Sequence, residues 1–330
     1  MNKNFQSARP LVSVIIPFHD DLEYIQQALD SCLQNTYPRM EIIIVDDHSE
    51  KPLTREEVSA AGHKYPITIF RNDRNRGSGY ARNVGIKAAQ GELIAFLDAD
   101  DIWFPDIIQK QVSVFQSDPS AVWVYTDGYY LIDEKRKRRP NSRYHGFRKG
   151  FPAGKEVNEY HLKGYNYMTF SSNMMKKEAL LAVGLFDEGL DVSEDWDLFV
   201  RLAERFPVHV INEPLMVYRV NNSGRHFVNR EKYVDVNLKI LKDMYERQGL
   251  WPKRLKDFDR AAAMIYQRAG IQRLNAGLNA EAREFLFHPR CSPLAWYPRM
   301  IVLRILSLLP GLFYKAALWV YDKTSFETRS

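Results

Sequence analysis

The first 100 residues alternate between short apolar runs and stretches in which apolar residues recur every three or four positions. The apolar runs are Val12–Pro17 (VSVIIP), Glu41–Val45 (EIIIV), Ile67–Phe70 (ITIF) and Leu93–Leu97 (LIAFL). Runs this short are typical of buried strands, whereas the spacing between Leu22 and Leu33 is typical of a helix that packs by one face. Strands that alternate with helices predict right-handed βαβ units, and therefore a mostly parallel, Rossmann-like sheet flanked by helices.

Polar clusters follow three of these strands at the point where each strand ends. They are Pro17-Phe18-His19, Asp46-Asp47 and Asp98–Asp101. The carboxyl ends of parallel strands meet at one edge of the sheet, and ligands of such sheets bind there. We therefore expect the three clusters to lie together and to form part of a functional site.

The pattern changes further along the chain. Up to residue 225 helices and strands still alternate, with separate strands predicted at 121–125, 129–132, 208–211 and 215–220 and a helix at 195–206. From residue 230 onward the apolar spacing is helical, with helices predicted at 233–248, 260–275 and 280–287. The sequence thus predicts an α/β domain at residues 10–225 and an all-helical C-terminal region at residues 226–330.

Charge divides the chain in the same way. The formal net charge of the 330 residues is +5, yet residues 1–225 carry 28 basic and 31 acidic side chains and residues 226–330 carry 18 and 10. Nucleic-acid-binding proteins usually show a stronger or more concentrated basic bias, so we expect no nucleic acid as a partner. Cys32 and Cys291 are too few for a disulfide framework or a four-cysteine zinc site.

The basic C-terminal segment, residues 293–330, mixes tryptophan, leucine and isoleucine with arginine and lysine. Its longest uncharged run, Ile305–Tyr314, has ten residues, whereas a membrane-spanning helix needs about 20 apolar residues. This composition is typical of helices that lie on an anionic membrane surface. The alternative is a helix packed on its own domain or on a second subunit. Since the N-terminus lacks a signal-peptide layout, we predict a cytoplasmic protein. The membrane-surface interpretation of residues 293–330 would make it peripheral on the inner face of the cell membrane.

The strongest chemical signal is Asp98-Ala99-Asp100, directly after a buried strand. Two carboxylates at a strand end supply the oxygen ligands that Mg²⁺ and Mn²⁺ take, together with phosphate oxygens. The structural alternative is helix capping, because Asp101 precedes a predicted helix. Capping would account for one aspartate more readily than for three.

Three further clusters have both a chemical and a structural interpretation. Asp46-Asp47-His48-Ser49 can accept hydrogen bonds from a base or a ribose, or can form a turn. The segment Asn75–Asn83 joins glycines and two arginines at a helix start, which suits an anion. Glu194-Asp195-Trp196-Asp197 offers a general base, or an ordinary acidic helix N-terminus.

Taken together, these motifs resemble those of the family 2 glycosyltransferases with the GT-A fold. The resemblance covers roughly residues 10–225 and rests on motifs that occur in the same order. They are Val12–Pro17, Asp46-Asp47-His48-Ser49, Gly77 with Ala81-Arg82-Asn83, Gly91-Glu92 leading into Phe96–Asp101, and Gly184-Leu185-Phe186-Asp187 followed by Glu194–Leu198. One departure is Phe18-His19, where the family often has an aromatic residue followed by asparagine.

The resemblance implies a role for each matching residue on the donor side. Asp47 would read the nucleotide base, and the Pro17 backbone and Arg82 would line the same pocket. Asp98 would lie near the ribose and the metal, and Asp100 would bind the metal directly. The implied cofactor is a divalent cation, Mn²⁺ or Mg²⁺.

On the acceptor side, the resemblance implies that Asp195 is the catalytic base that takes the proton of the acceptor hydroxyl. Glu194 and Trp196 would contact the acceptor. His226 is a candidate further metal ligand, because some members of the family place a histidine after the late strand. In this chain the histidine comes later than usual.

The implied activity is inverting transfer of a sugar from a nucleotide-sugar, with a UDP-sugar favoured through Asp47. The acceptor would be a saccharide or a lipid-linked saccharide in cell-surface polysaccharide or glycolipid biosynthesis. Two alternatives stay open. A nucleotidyltransferase would want a glycine-rich phosphate loop after the first strand, where this chain reads Ile16–Asp20 without glycine. A catalytically silent sugar-nucleotide-binding or scaffold protein would favour an altered aspartate motif or a missing Asp195, and both are intact.

Overall fold

The structure is a computed structural model. It describes residues 9–59, 64–131, 139–140, 153–164, 166, 168–219, 230–275, 278–294, 304 and 307. The chain divides into two compact units. The first comprises residues 1–157 and 167–224, and the second comprises residues 158–166 and 225–330. The predicted domain boundary at residue 225 stays a prediction, because residues 220–229 lie outside the described part of the chain.

Strands and helices alternate along the first unit and give way to helices in the second. The strands are β1 (Val12–Phe18), β2 (Met40–Asp46), β3 (Ile67–Arg71), β4 (Leu93–Phe96), β5 (Ile102–Trp103), β6 (Trp123–Leu131), β7 (Arg139–Pro140), β8 (Asn173–Lys176) and β9 (Val208–Arg219). The helices are α1 (Leu22–Leu33), α2 (Arg55–Ser59), α3 (Ser78–Ala88), α4 (Ile107–Ser117), α5 (Glu156–Leu162), α6 (Lys177–Ala182), α7 (Glu194–Ala203), α8 (Arg230–Arg247), α9 (Leu255–Asn275) and α10 (Asn279–Leu286). Short 3₁₀ helices cover Phe170–Ser172 and Pro289–Leu294.

The strands form one mixed sheet in the order β3-β2-β1-β4-β8-β6-β9-β5, with β7 paired to β6. Strands β3, β2, β1 and β4 are parallel neighbours. Strand β8 runs antiparallel to both β4 and β6, and β5 runs antiparallel to β9. The α/β fold with a helical C-terminal part is therefore confirmed. Strands β5 and β8 have only two and four residues, too few for their alternation to mark them in the sequence.

The register of the central strands brings the predicted clusters to one edge of the sheet. Phe18 at the end of β1 lies opposite Asp46 at the end of β2, and the backbone N–H of Asp47 donates to the carbonyl of Phe18 at 2.8 Å. On the other side of β1, the backbone N–H of Leu97 donates to the carbonyl of Ile15 at 3.1 Å. The strand ends that precede the three polar clusters are thus neighbours, as the pattern of parallel strands predicts.

Two pairs of strands that the sequence predicts as separate are single long strands, β6 and β9. The predicted break in β6 falls at Thr126-Asp127-Gly128. The ladder between β6 and β9 continues through it with register shifts on both sides of Asp127. A Cβ atom on Gly128 would lie 2.8 Å from Cγ of Met216 on β9. Glycine therefore marks a close approach of two strands here, and not the end of a strand.

The core of the first unit lies where helices pack on the central strands. Residues Val14–Ile16 of β1 are fully buried, as expected for a strand covered on both faces. Helix α3 approaches β1 closely, because a Cβ on Gly85 would lie 2.6 Å from Cγ2 of Ile15. The rings of Trp123 and Phe199 stack at 5.3 Å and join β6 to helix α7.

In the second unit the helices contact one another through small residues and aromatic rings. A Cβ on Gly270 of α9 would lie 2.6 Å from Cγ of Leu286 on α10. The side chain of Leu286 therefore packs directly against the backbone of α9. The hydroxyl of Tyr245 on α8 donates to the carbonyl of Leu162 at 3.0 Å. Among the described residues, every helix is too short or too polar to span a lipid bilayer. Most of the basic segment 293–330 lies outside the described residues.

Candidate active site

The turn that follows β4 is held by hydrogen bonds from a distant serine. The backbone N–H of Asp98 donates to Oγ of Ser171 at 2.9 Å, and this hydroxyl donates to Oδ2 of Asp101 at 2.5 Å. The backbone N–H of Asp101 closes the turn onto the carbonyl of Asp98 at 3.0 Å. Ser171 is fully buried, so the turn rests on a fixed support.

Asp101 has a structural role in this turn, and it does not cap helix α4, which begins at Ile107 after Asp106. Its side chain is buried and accepts hydrogen bonds from Ser171 and from the backbone N–H of Arg219. Burial raises the pKa of the Asp101 carboxyl well above its usual value, and the charges of Asp100 and Asp98 add to the rise. The two hydrogen bonds oppose it. The raised pKa favours the neutral form of Asp101, whose role in the turn is structural.

Arg219 fixes this turn from strand β9. Its backbone N–H donates to Oδ1 of Asp101 at 3.0 Å, and its Nε donates to the carbonyl of Asp100 at 3.0 Å. A second guanidinium nitrogen donates to Oε1 of Gln27 on α1 at 2.9 Å, and the guanidinium lies 4.7 Å from the ring centre of Tyr24. Arg219 thus connects β9, the aspartate turn and α1. Sequence reasoning missed it, because no local motif shows that a strand residue will reach a turn 118 positions earlier.

Arg82 connects the aspartate turn to the acidic start of helix α7. Its guanidinium donates to Oδ1 of Asp98 at 2.7 Å and to Oε1 of Glu194 at 3.0 Å. Burial alone would lower the pKa of Arg82, but the charges of Asp98 and Glu194 outweigh it and hold that pKa above the usual arginine value. The residue predicted to line the donor pocket is therefore an ion-pair partner of two other predicted site residues.

Helix α7 begins with the predicted acceptor-side residues. Ser193, just before it, has a left-handed backbone conformation (φ 59°), which non-glycine residues rarely adopt and which tends to occur at functional sites. Oδ1 of Asp195 accepts the backbone N–H of Trp196 at 2.6 Å. The side chain of Asp195 is partly exposed. The neighbouring Glu194 accepts a hydrogen bond from the hydroxyl of Ser78, in addition to the one from Arg82.

The placement of Trp196 argues against its predicted contact with the acceptor. Its side chain is 1% exposed and is one of the largest fully buried side chains of the described residues. Successive residues of a helix point about 100° apart, so Asp195 can be partly exposed while Trp196 packs in the core. The acceptor contact of Trp196 is implied by the resemblance alone, whereas its burial places the side chain in the core.

Asp47 organises the loop that leads into helix α3. Its carboxylate accepts a hydrogen bond from the side-chain amide of Asn72 at 2.7 Å. It also accepts the backbone N–H of Arg76 at 3.0 Å and that of Gly77 at 2.7 Å. A carboxylate has about four acceptor positions, so most of those on Asp47 are engaged by the loop. Its predicted contact with the nucleotide base stays a prediction.

The remaining donor-side residues lie at the same sheet edge. Pro17 is partly buried in β1 opposite Val45. His19 follows β1, and its Nε2 lies 2.8 Å from Nδ2 of Asn75. The loop after β1 and the loop before α3 therefore meet beside Asp47. Both loops come from the sequence clusters that the resemblance assigns to the donor.

Tyr218 is a site residue that the sequence analysis did not select. It lies on β9 opposite Tyr130 of β6, and the two rings meet edge to face with their centres 5.1 Å apart. Burial raises the pKa of its phenol well above the usual tyrosine value, and four nearby carboxylates raise it further: Asp101, Asp100, Asp98 and Asp195. Tyr218 lies next to Arg219, whose backbone N–H binds the aspartate turn.

The donor set at this edge fits a divalent cation. Apart from Asp101, whose raised pKa favours its neutral form, four carboxylates (Asp98, Asp100, Glu194 and Asp195) lie near two guanidinium groups (Arg82 and Arg219), so negative charge is in excess. No three His, Cys, Asp or Glu side chains among the described residues lie close enough together to enclose a metal ion. Mg²⁺ and Mn²⁺ are commonly held by one or two carboxylates together with substrate phosphates. His226, the further predicted ligand, lies outside the described residues.

The sequence matches known glycosyltransferases. Residues 13–182 match the family model described as glycosyl transferase family 2. An uncharacterized glycosyltransferase of Rickettsia typhi is 32% identical over 221 residues, which are 65% of this chain and 65% of the relative. One of Rickettsia prowazekii is 31% identical over 264 residues, 77% of this chain and 78% of the relative. The match spans only 32% of the relative from Rickettsia felis.

Solved structures share the fold at low sequence identity. TarS of S. aureus (residues 1–349), solved in complex with UDP, has a TM-score of 0.60 and 17% identity, with 96% of this chain and 88% of that chain covered. The mannosyltransferase PcManGT of Pyrobaculum calidifontis, solved with GDP-Man and Mn²⁺, has a TM-score of 0.59 and 19% identity over the same shares. The family model matches more than half of the sequence. The similar folds and the motifs at the sheet edge agree with that match. The chain belongs to glycosyltransferase family 2.

Proposed function

We propose that this protein is an inverting, metal-dependent glycosyltransferase that uses a nucleotide-sugar donor. The observation that carries the proposal is the pair of ion pairs from Arg82 to Asp98 and Glu194. They bring the aspartate turn beside the first residues of α7, where Asp195 lies. A metal-binding carboxylate motif and a partly exposed candidate base next to each other are what a sugar transfer from a nucleotide requires.

On the donor side, we propose that Asp47 and its loop hold the nucleotide and that Asp98 faces the ribose. A UDP-sugar is favoured, because the resemblance assigns base recognition to Asp47 and because TarS was solved with UDP and with UDP-GlcNAc. PcManGT was solved with GDP-Man, so a GDP-sugar is the competing donor. The carboxylate of Asp47 holds the backbone of Arg76 and Gly77 in place, which shapes the pocket before the donor arrives.

Asp98 and Asp100 are the residues we propose for holding a divalent cation, Mn²⁺ or Mg²⁺. When bound, the cation supplies positive charge that stabilises the diphosphate leaving group. The negative excess at this edge supports that assignment. Ser171 and Arg219 keep both aspartates in one turn, so that the ligands need not be ordered at the time of binding.

The transfer itself is a single displacement at the anomeric carbon. Asp195 accepts the proton of an acceptor hydroxyl while the hydroxyl oxygen forms a bond to that carbon. The bond from the carbon to the diphosphate oxygen breaks, and nucleoside diphosphate leaves with the electron pair. Because attack and departure occur on opposite faces of the sugar, the configuration inverts, by the same logic as in inverting glycosidases.

For the acceptor, we propose a saccharide or a lipid-linked saccharide of cell-surface polysaccharide or glycolipid biosynthesis. Glu194 is the proposed contact, since Arg82 and Ser78 both bind its Oε1 and thereby fix the position of the carboxylate. The basic, tryptophan-containing segment 293–330 supports a peripheral association with an anionic membrane surface.

A panel of donors tests the proposed function. The wild-type chain is incubated with UDP-sugars and GDP-sugars, with Mn²⁺, with Mg²⁺ and with chelator, and release of nucleoside diphosphate is measured. We expect release from one donor class, with loss of release in chelator. Binding of a nucleotide-sugar without release in any condition would favour a catalytically silent binding protein. Release of pyrophosphate from a nucleoside triphosphate and a sugar phosphate would favour a nucleotidyltransferase.

A further inference from the structure

Arg82 is a buried arginine that forms ion pairs with two carboxylates from distant parts of the chain. Its side chain is 6% exposed. One terminal nitrogen donates to Asp98 at 2.7 Å and the other donates to Glu194 at 3.0 Å. Asp98 lies two residues after the end of β4, and Glu194 is the first residue of α7. Only a planar guanidinium offers two terminal nitrogens that can reach two carboxylates at once.

Aromatic rings hold the guanidinium in this position. Its central carbon lies 4.4 Å from the ring centre of Phe170 and 5.6 Å from that of Phe186. Both distances are within the range of cation–π attraction. Nε of Arg82 is buried and has no hydrogen-bond partner among the described residues. The burial of this charge is therefore compensated by the two carboxylates and the rings, and not by a complete set of hydrogen bonds.

Glu194, the second partner, is equally constrained. Its Oε1 accepts from Arg82 and from the hydroxyl of Ser78 at the start of α3. A Cβ on Gly79 would lie 3.3 Å from Cγ of Glu194, so the side chain packs against the helix backbone. Glu194 therefore cannot shift without disturbing Arg82, and through Arg82 it is connected to Asp98.

We propose that Arg82 is a positioning residue that ties the donor-side carboxylate Asp98 to the acceptor-side carboxylate Glu194. This inference rests on the proposed function and adds to it a physical link between the two substrate sites. Asp195 follows Glu194 directly, so a shift of Asp98 when a donor binds is transmitted to the candidate base. The guanidinium is then a bridge within the protein and not a contact to the nucleotide base.

Two substitutions distinguish the simultaneous contact of Arg82 with both carboxylates from the mere presence of its positive charge. Arg82→Lys keeps a positive charge but cannot serve both carboxylates in the same way, and Arg82→Met removes the charge while keeping an apolar stem. The matched control is Arg201→Met. Arg201 forms a partly buried pair with Asp197 on the same helix α7, with its Nε 2.9 Å from Oδ2, and it touches none of the proposed site residues.

Three quantities are measured in each variant: thermal unfolding, the dissociation constant of UDP with Mn²⁺, and kcat and the acceptor KM for transfer. For Arg82→Lys we expect a fall in kcat or a rise in acceptor KM of about 10- to 100-fold, the usual range for a residue that orients a metal ligand. The UDP dissociation constant should rise by less than this factor, because Ser171 still holds the backbone of Asp98. We also expect UDP with Mn²⁺ to slow amide exchange in residues 194–203 of the wild type but not of Arg82→Lys.

A double substitution adds a readout that simple loss of stability does not affect. If Arg82 acts through Glu194, the losses caused by Arg82→Lys and Glu194→Gln combine to less than their product. Fully multiplicative losses would overturn the link. So would weaker UDP binding with unchanged acceptor kinetics, since that would make Arg82 a nucleotide contact.

The control decides whether the role is merely structural. Equal losses of activity in Arg82→Met and Arg201→Met at equal losses of stability would overturn the positioning role. Absence of transfer by the wild-type chain with every donor would overturn the proposed function as well. Wild-type transfer with Arg82→Lys kinetics unchanged would overturn the positioning role alone.

Discussion

The backbone N–H of Arg219 donates a 3.0 Å hydrogen bond to the carboxylate of Asp101, although the two residues lie 118 positions apart in the chain. The same residue reaches the carbonyl of Asp100 through its Nε. Strand β9 thereby supports the turn that carries both proposed cation ligands. The turn is therefore held by strand β9 as well as by its own residues.

The first prediction concerns this support. Arg219→Lys keeps the backbone bond to Asp101, but a single ammonium group cannot contact both the carbonyl of Asp100 and the side chain of Gln27 as the guanidinium does. We expect UDP binding in the presence of Mn²⁺ to weaken about 10- to 100-fold. Calorimetric titration measures this change.

Unfolding in urea provides the control for Arg219→Lys. Loss of two hydrogen bonds from a buried arginine is expected to cost about 1–3 kcal/mol of unfolding free energy. Arg254→Lys, in which the exposed pair with Asp257 is altered, should change neither quantity by much. Unchanged UDP affinity in Arg219→Lys would show that the turn keeps its geometry without the guanidinium.

A second prediction concerns Asp47 and the loop before α3. Asp47→Asn replaces one acceptor oxygen by a donor that faces the backbone N–H groups of Arg76 and Gly77. We expect faster amide exchange across residues 72–77 and loss of UDP binding, whichever direct contact Asp47 makes with the base. Exchange mass spectrometry and titration measure the two effects.

Asp118→Asn is the matched control for Asp47→Asn. Asp118 also accepts a backbone N–H within a turn, that of Ser120 at 2.9 Å, but it lies outside the proposed site. It should alter local exchange near residue 120 and leave UDP binding unchanged. Normal UDP affinity in Asp47→Asn would contradict the role of this loop in donor binding.

A third prediction compares two glycines of helix α3. A Cβ on Gly85 would lie 2.6 Å from Cγ2 of Ile15, whereas a Cβ on Gly79 would lie 3.3 Å from Cγ of Glu194. We expect Gly85→Ala to lower the unfolding free energy by about 1–3 kcal/mol through overpacking. Gly79→Ala gains helix propensity and should be nearly neutral for stability, but it should slow transfer because Glu194 must move.

Urea unfolding and transfer rates distinguish the two glycine variants. We expect the larger loss of unfolding free energy in Gly85→Ala. We expect the larger loss of transfer rate, relative to the loss of unfolding free energy, in Gly79→Ala. The reverse order would contradict the close packing of Glu194 on α3.

The parts of the fold that could be predicted from sequence are those with a strong local signal. The apolar runs of β1, β2 and β4 and the spacing in α1 predicted their elements to within a few residues, because burial on both faces leaves a continuous apolar run. Short strands such as β8 carry no such signal. The break predicted at Asp127-Gly128 was wrong, since the same residues serve a bulge as well as a turn.

The residues of the candidate site also differ in whether a local sequence signal marks them. Asp98, Asp100, Asp195 and Asp47 occur in local motifs and could be selected from sequence. Ser171, Arg219 and Tyr218 support or face these residues from distant segments, and nothing in their own neighbourhood in the sequence marks them. Trp196 shows the opposite error, because position in a motif does not reveal which face of a helix is buried.

A fourth prediction concerns the basic segment 293–330. We expect the full chain to float with vesicles that contain anionic lipid and not with vesicles of zwitterionic lipid alone, because basic and apolar side chains favour an anionic surface. Removal of residues 293–330 should abolish flotation. Unchanged thermal unfolding of the shortened chain serves as the folding control. Equal flotation of both chains would assign the segment to another role.

The most direct test of the account is the transfer rate of Asp195→Asn. Asparagine can keep the 2.6 Å hydrogen bond from the backbone N–H of Trp196, so the fold and the thermal unfolding should be preserved. As a group that cannot take a proton, it should lower transfer by at least about 10²- to 10⁴-fold, with the UDP dissociation constant unchanged. Turnover equal to that of the wild type would show that Asp195 is not the base and would contradict the proposed mechanism.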